Sequence, residues 1–508
     1  MRKRYLSAIA AAMLLSVASA QQVNPITQAM LDGYAELLEQ NPHDYLTLYE
    51  RASQYYQLSD YEKALGDIKR AIVNTPAKER AQLASAYALC ADINIELKQY
   101  ADAYESINKA LELMPDSYRW LYAKGNICLH IGDMKAATQA FQAMQRLNPR
   151  STEALFGLAQ VAIKEGRIGD AKEYMKEVEN IDSNNYITFC RLGDLHREMD
   201  EPREAAASYL SAFSLANNSS RPMSSLLELA RDNYDAVQQA VDYALSRTKN
   251  VVPLYFISGN AAMVAERYGD AYTTYRQLLS LPQVEAETLY SPMGEICLMR
   301  GDLNEADNYL TKALTLEDNE QNNLLKAKTE NARGNAASAL IYVGNVLRKN
   351  PNNIEAMLEG AAACLQNNDD AGALEYLNNA VITDAGDFRP LLVRGYMQAH
   401  GRTDSPTSVA DFTRAATLAA SDDRQTAYKA IAQALSGNAL DAAATVKPLK
   451  EKAGADVKAA YLTALYLLNT GALQEAEAML SAARANGFEN DYLLKYFNLP
   501  VISVKGLH

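Results

Sequence analysis

The chain has 508 residues but only five cysteines, five histidines and one tryptophan. Cys90, Cys128, Cys190, Cys297 and Cys364 form no CxxC pair and no Cys/His cluster of zinc spacing, which argues against the common structural zinc modules. An odd cysteine count leaves at least one thiol outside any intramolecular disulfide. The histidines (His43, His130, His196, His400 and His508) are scattered, and none shares a local cluster with Cys or Ser. GxGxxG, P-loop, HExxH and GxSxG signatures are all missing, so the familiar dinucleotide, phosphate, metalloprotease and serine-hydrolase sites have no local footprint. After the first twenty residues the longest apolar stretch, Ala459 to Leu468, is too short to cross a bilayer. Basic residues are also scarce, 49 Lys+Arg against 62 Asp+Glu, a formal net charge of −13. That balance disfavours nucleic acid or an anionic membrane surface as the main partner.

The first twenty residues read differently. Met1-Arg2-Lys3-Arg4 is followed by an apolar run from Tyr5 to Val17 and by Ala18-Ser19-Ala20. This is the pattern of a secretory signal peptide, cleaved after Ala20 to leave Gln21 first. The mature chain is therefore expected to be exported, with the periplasm the first expectation and the cell surface or the medium as alternatives. Loss of Arg2, Lys3 and Arg4 makes it more acidic still.

What the sequence has in abundance is periodicity. Ala91, Gly125, Ala159 and Gly193 stand 34 residues apart, and Ala103, Ala137, Ala171 and Ala205 follow each by twelve. A period of that length marks a helical repeat array. Between residues 118 and 151, Leu121, Gly125 and Cys128 share one face of a first helix, and Gly132-Asp133 makes a turn. Ala137, Phe141 and Met144 then line a second helix, which Asn148-Pro149 ends. Small residues let paired helices approach, and large ones fill the spaces between units.

These residues resemble the tetratricopeptide repeat family. The unit from Tyr45 matches its pattern with Leu48, Ala52, Tyr55, Ala64, Ile68, Ala71 and Pro76; that from Ala84 matches with Tyr87, Ala91, Ala103, Ile107, Ala110 and Pro115. Looser units carry Tyr255, Gly259, Ala271 and Tyr275, then Tyr290, Gly294, Ala306, Leu310 and Ala313, and then Ala464, Ala476, Leu480 and Ala483. About thirteen units start near 45, 84, 118, 152, 186, 219, 252, 287, 320, 353, 388, 424 and 457. The expected fold is an all-α, right-handed α-solenoid of helix–turn–helix repeats. The expected organisation is a signal peptide at 1–20, a lead-in helix within 21–44 and an N-terminal array at 45–218. A degenerate repeat or hinge at 219–251, a C-terminal array at 252–490 and a cap at 491–508 (Tyr492, Leu493, Tyr496, Phe497) complete it. Residues 77–83 read as an inserted extra turn of chain, Asn217 to Pro222 as a loop, and Asn367–Asp370 and Gly401–Ser408 as longer turns. The cysteines fall on first helices and are expected to be buried free thiols, with a Cys90–Cys128 bridge as the alternative. Arg300-Gly301-Asp302 spells an adhesion tripeptide, but it falls where the inter-helix turn is expected, as do Gly132-Asp133 and Gly269-Asp270.

The resemblance implies a concave groove lined by the second, fifth, ninth and twelfth positions of the first helices. The ninth positions are Ser53, Asp92, Asn126, Gln160, Asp194, Asn260 and Glu295, all polar. The fifth are Tyr49, Ala88, Tyr122, Phe156, Cys190, Phe256 and Ser291, rich in aromatics. A polar ladder beside aromatic platforms suits an extended peptide, the amides and carboxylates pairing its backbone and the rings its side chains. Some members of the family clamp a C-terminal carboxylate with Lys and Asn, but no Lys occupies a fifth position here. Arg119 and Arg197 are the groove cations read from the N-terminal array, and Asp92, Asp194 and Glu295 bias the groove toward a neutral or basic ligand. His196 reads as a hydrogen-bonded core residue. The expectation is a non-enzymatic, cofactor-free protein–protein interaction scaffold. A glycan- or nutrient-binding protein, or an enzyme with a site assembled across repeats, are the alternatives.

Overall fold

A computed structural model describes residues 25–485, except 217, 400–407, 420–422 and 455. The signal-peptide residues, including Ala18, Ala20 and Gln21, and the cap residues after 485 lie outside the described residues, as do His400 and the 401–407 turn. The described residues form twenty-six α-helices and one short 3-10 helix, with no strand among them. The chain divides into two compact units, Met1–Tyr243 and Ala244–His508.

In unit 1 a lead-in helix α1 (Pro25–Gln40) precedes five helical hairpins. These are α2/α3 (Tyr45–Gln57, Tyr61–Asn74), α4/α5 (Arg80–Glu96, Tyr100–Leu113), α6/α7 (Tyr118–Ile131, Met134–Leu147), α8/α9 (Thr152–Lys164, Ile168–Ile181) and α10/α11 (Tyr186–Glu198, Pro202–Leu215). Helix α12 (Ser220–Leu245) follows. Unit 2 holds seven hairpins: α13/α14 (Val252–Val264, Tyr268–Ser280), α15/α16 (Tyr290–Arg300, Leu303–Leu316), α17/α18 (Glu320–Ala332, Ala336–Lys349) and α19/α20 (Ile354–Gln366, Asp370–Thr383), then α21/α22 (Phe388–Ala399, Ser408–Leu418), α23/α24 (Asp423–Leu435, Ala439–Lys452) and α25/α26 (Val457–Asn469, Leu473–Ala485). Helix starts fall at or near each of the thirteen positions expected from the period.

Local chemistry explains the punctuation. Asp133 and Ser151 cap α7 and α8 by accepting from the backbone N–H groups of Ala136 and Ala154, each at 2.9 Å. At the other end of most of the described first helices one residue turns left-handed. Counted from the repeat starts at 45, 84, 118, 152, 186, 252, 287 and 320, it is the fifteenth residue: Ser59, Lys98, Gly132, Gly166, Asp200, Glu266, Gly301 and Gly334. The next residue then donates to a carbonyl five back, as Asp133 does to Cys128 at 2.9 Å and Gln99 to Asn94 at 2.8 Å, which satisfies the exposed end of the helix. Gly301 takes this role at φ +79, so the Arg-Gly-Asp tripeptide is a hairpin turn. Gly269-Asp270 is not one: both lie in the first helical turn of α14, and Glu266 supplies the left-handed residue three positions earlier.

Three other readings are adjusted. Of residues 77–83, Arg80 to Leu83 are helical and lengthen α4 to 17 residues. Ser220 to Pro222 are not loop: they open α12, where proline's missing N–H is harmless. Asn367–Asp369 is the same tight turn as elsewhere, with Asn368 left-handed at φ +58. The unit at 219–251 differs in its turn: Asn233 stands at the fifteenth position with φ −131 and ψ 45, so a kink replaces the left-handed turn.

The small-residue pattern follows from ring packing. A Cβ built on Gly193 would lie 2.4 Å from the Tyr209 ring, and one on Gly259 2.5 Å from Tyr275. Phe141, fully buried, is flanked by Gly125 and Gly157 together, with such Cβ positions at 2.5 and 2.4 Å. All five cysteines are free and buried.

Candidate ligand-binding face

The ninth-position residues sort into two groups. Ser53, Asn126 and Gln160 are half-buried, and among the described residues their side chains make no hydrogen bond. Others are engaged by the fold. Asp194 accepts from the Tyr209 hydroxyl at 2.7 Å and from Arg221 at 3.2 Å. Asp92 accepts from Arg119 at 3.2 Å, and Asn260 from the Tyr275 hydroxyl at 3.0 Å. In both acid pairs the arginine lies 27 residues later, at the start of the next unit. The same spacing recurs in unit 2, where Lys328 Nζ lies 3.2 Å from Glu355. The ninth position thus doubles as a tie between neighbouring repeats wherever the residue 27 further on carries the opposite charge.

The expected bias toward a neutral or basic ligand rested on Asp92, Asp194 and Glu295; of these, Asp92 and Asp194 carry Arg119 and Arg221. Burial still pushes the Asp92 carboxyl up, against the pull of Arg119. Glu295 stands apart: it has no hydrogen bond or ion pair among the described residues. Burial raises its carboxyl above the usual range, and Lys328 opposes that shift only in part. Below it in the chain, burial alone would raise Glu355, but Lys328 and Arg389 outweigh it and hold it at about 2.

The aromatic platforms also divide. Tyr49 and Tyr122 are half-buried, and Tyr122 meets Phe141 edge-on with centroids 6.4 Å apart. Phe256 meets Tyr275 in the same way at 6.2 Å. Phe156 is not an open platform: it is 2% exposed. The Arg191 guanidinium, from the next repeat, lies 3.8 Å from its ring centroid. Ala88 and Cys190 are buried as well. Arg191 and Arg221 therefore join Arg119 and Arg197 as cations of this face. Arg191 escaped the sequence reading because it occupies a sixth position, outside the positions that the family resemblance supplied. Arg197 is drawn to Glu228 at 3.1 Å. His196 Nδ1 lies 3.0 Å from Glu201, the hydrogen-bonded state expected of it.

Among the described residues no group of His, Cys, Asp and Glu could hold a metal ion. No described helix is long and apolar enough to cross a membrane.

The paired helices, their repeating turns and the small-on-large packing define an all-α repeat protein. Two tetratricopeptide repeat family models match, over residues 91–152 and 129–188, so this stretch carries tetratricopeptide repeats. Such repeats mediate protein–protein interaction. Human peptidyl-prolyl cis-trans isomerase FKBP4 is 30% identical over 120 residues, 22% of this chain and 26% of that protein. TPR repeat-containing protein MJ1428 of Methanocaldococcus jannaschii is 27% identical over 166 residues, 32% of this chain and 28% of that protein. The chain thus spans about a quarter of the length of each of these relatives. Among solved structures, the chain is similar to YrrB, described as a TPR protein with an unusual peptide-binding site (19% identity, TM-score 0.30, covering 38% of this chain and 97% of that one). It is also similar to the C-terminal part of a TPR repeat-containing protein from Cytophaga hutchinsonii (14% identity, TM-score 0.36, covering 52% and 93%).

Proposed function

We propose that this protein is a non-enzymatic scaffold of the bacterial envelope. It is exported by its N-terminal leader and binds a protein partner through an extended peptide laid along the first helices of unit 1. The observation that carries this reading is the unspent bonding capacity of Ser53, Asn126 and Gln160, which sit half-exposed on α2, α6 and α8 beside the partly open rings of Tyr49 and Tyr122. A side-chain amide offers a donor and an acceptor together, the pair an extended backbone presents. In unit 2 the unpaired carboxylate of Glu295 favours a basic residue on the partner.

The test has two arms. A peptide array probed with the chain from Gln21 should capture extended peptides, and bound peptide should protect α2, α6 and α8 from hydrogen exchange. The triple variant S53A/N126A/Q160A should weaken capture about a hundredfold, at about 1 kcal/mol for each neutral hydrogen bond. Protection confined to the second helices would overturn the reading. For export, N-terminal sequencing of the protein recovered from the host envelope should begin at Gln21.

A further inference from the structure

Arg191 is a charge of unit 1 that the fold does not pair. Its guanidinium is half-buried, yet among the described residues it has no hydrogen bond and no ion pair. One face of the fork is covered by the buried Phe156 ring at 3.8 Å. Burial lowers its pKa. No described residue accepts from the N–H groups of the fork, and a partly desolvated guanidinium with idle donors is a strong receptor for a planar anion. Its neighbours supply the rest of a site. Tyr122 and Glu153 approach from α6 and α8, and Asp194 and Arg221 from α10 and α12. Asn126 and Gln160, both without partners, lie one helical turn beyond Tyr122 and Phe156 on the same helices.

We infer that Arg191 is an anion-binding residue, and that the peptide held along unit 1 presents an acidic side chain, Asp or Glu, to it. This rests on the peptide reading above and adds the chemistry of the ligand. The charge count selects a carboxylate over a phosphate. Asp194 and Arg221 pair with each other, and Glu153 already brings a negative charge to bear on Arg191, so a dianion meets more repulsion here than a single carboxylate. A carboxylate also matches the fork in two parallel hydrogen bonds. For unit 1 the inference departs from the neutral or basic ligand expected from Asp92, Asp194 and Glu295.

The experiment uses the full mature chain and an array of amidated peptides whose central residue is Glu, Gln, Lys or phosphoserine in otherwise identical hosts. Glu peptides should bind at least tenfold better than their Gln partners, Lys peptides worse, and phosphoserine no better than Glu. In R191Q the Glu advantage should vanish while Gln peptides bind as before. R191K, which keeps the charge but loses the fork, should retain only part of it. R191Q gives up the stack on Phe156 and should lower the thermal midpoint slightly, whereas R191K keeps a cation over the ring and should hold it, so a Glu advantage that shrinks in R191K does not trace to folding. Equal binding of Glu and Gln peptides would overturn the carboxylate assignment and leave the peptide reading intact. A phosphoserine preference would overturn the charge argument. Capture of no peptide at all would remove both.

Discussion

Replacing Gly157 with alanine tests the packing logic most directly. A Cβ there would lie 2.4 Å from the Phe141 ring, whereas ordinary contact begins at 3.4 Å. The ring must retreat by about 1 Å, in an interior packed as closely as an organic crystal. It has nowhere to go, because the other side of the ring is seated on Gly125, where a Cβ would already be at 2.5 Å. Overpacking of this kind costs about 1–3 kcal/mol. The alanine recovers about 0.5–1 kcal/mol of backbone entropy in the helix. The net expectation for G157A is a loss of about 1–2 kcal/mol. Gly66, exposed on α3 with nothing within 4 Å of its Cβ position, is the matched control, and G66A should gain about 0.5–1 kcal/mol. Trp120, the sole tryptophan, packs against the core that contains Phe141, so its fluorescence during urea unfolding reports on this repeat. In an F141L background the obstruction is smaller, and G157A should turn neutral or stabilising. An equal penalty in both backgrounds, or no penalty in the native one, would refute the argument.

Other consequences are equally concrete. Arg51 grips Asp67 with two bonds of 2.6 and 2.8 Å, and Asp67 is buried; D67A, which strands the guanidinium, should cost about 3 kcal/mol in unit 1 by urea unfolding. Glu355, held at about 2, contributes stability that is full above the ordinary carboxylate pKa and fades as pH falls toward 2. E355Q should flatten that acid limb, read as thermal midpoint against pH between 5 and 2. Burial pushes the thiols of Cys128 and Cys364 up to about 11 and that of Cys297 to about 12, so none of the five should react with a disulfide reagent at pH 8 until urea is added. A fast-reacting thiol in the native chain would contradict their burial.

The period was legible because rings enforce it. Wherever Tyr209 or Tyr275 leans on the preceding helix, only Gly193 or Gly259 fits, so the constraint is written in residue size. The turns were less legible. Glycine marks some of them, but Ser59, Lys98, Asp200, Glu266 and Asn368 take the same left-handed conformation without it. Their positions follow from the count along the repeat and not from residue type, which is why Gly269 misled. The ligand-binding face was legible as a polar stripe, but its charge was not. Whether Asp92 is free depends on Arg119, and whether Phe156 is open depends on Arg191, each from the following repeat. Face-by-face reading treats each helix alone, whereas burial and pairing are settled between neighbours.

The ties at a separation of 27 leave a mark beyond this one molecule. Asp92 with Arg119, Asp194 with Arg221 and Lys328 with Glu355 each join a ninth position to the opening of the next repeat. Drift at one member strands a charge on the other, so compensating exchanges should be inherited in couples. Aligned descendants of this chain should therefore show a comb of covarying columns at that step, with gaps at Ser53, Asn126 and Gln160, where no tie exists and selection by the bound partner is free to act alone.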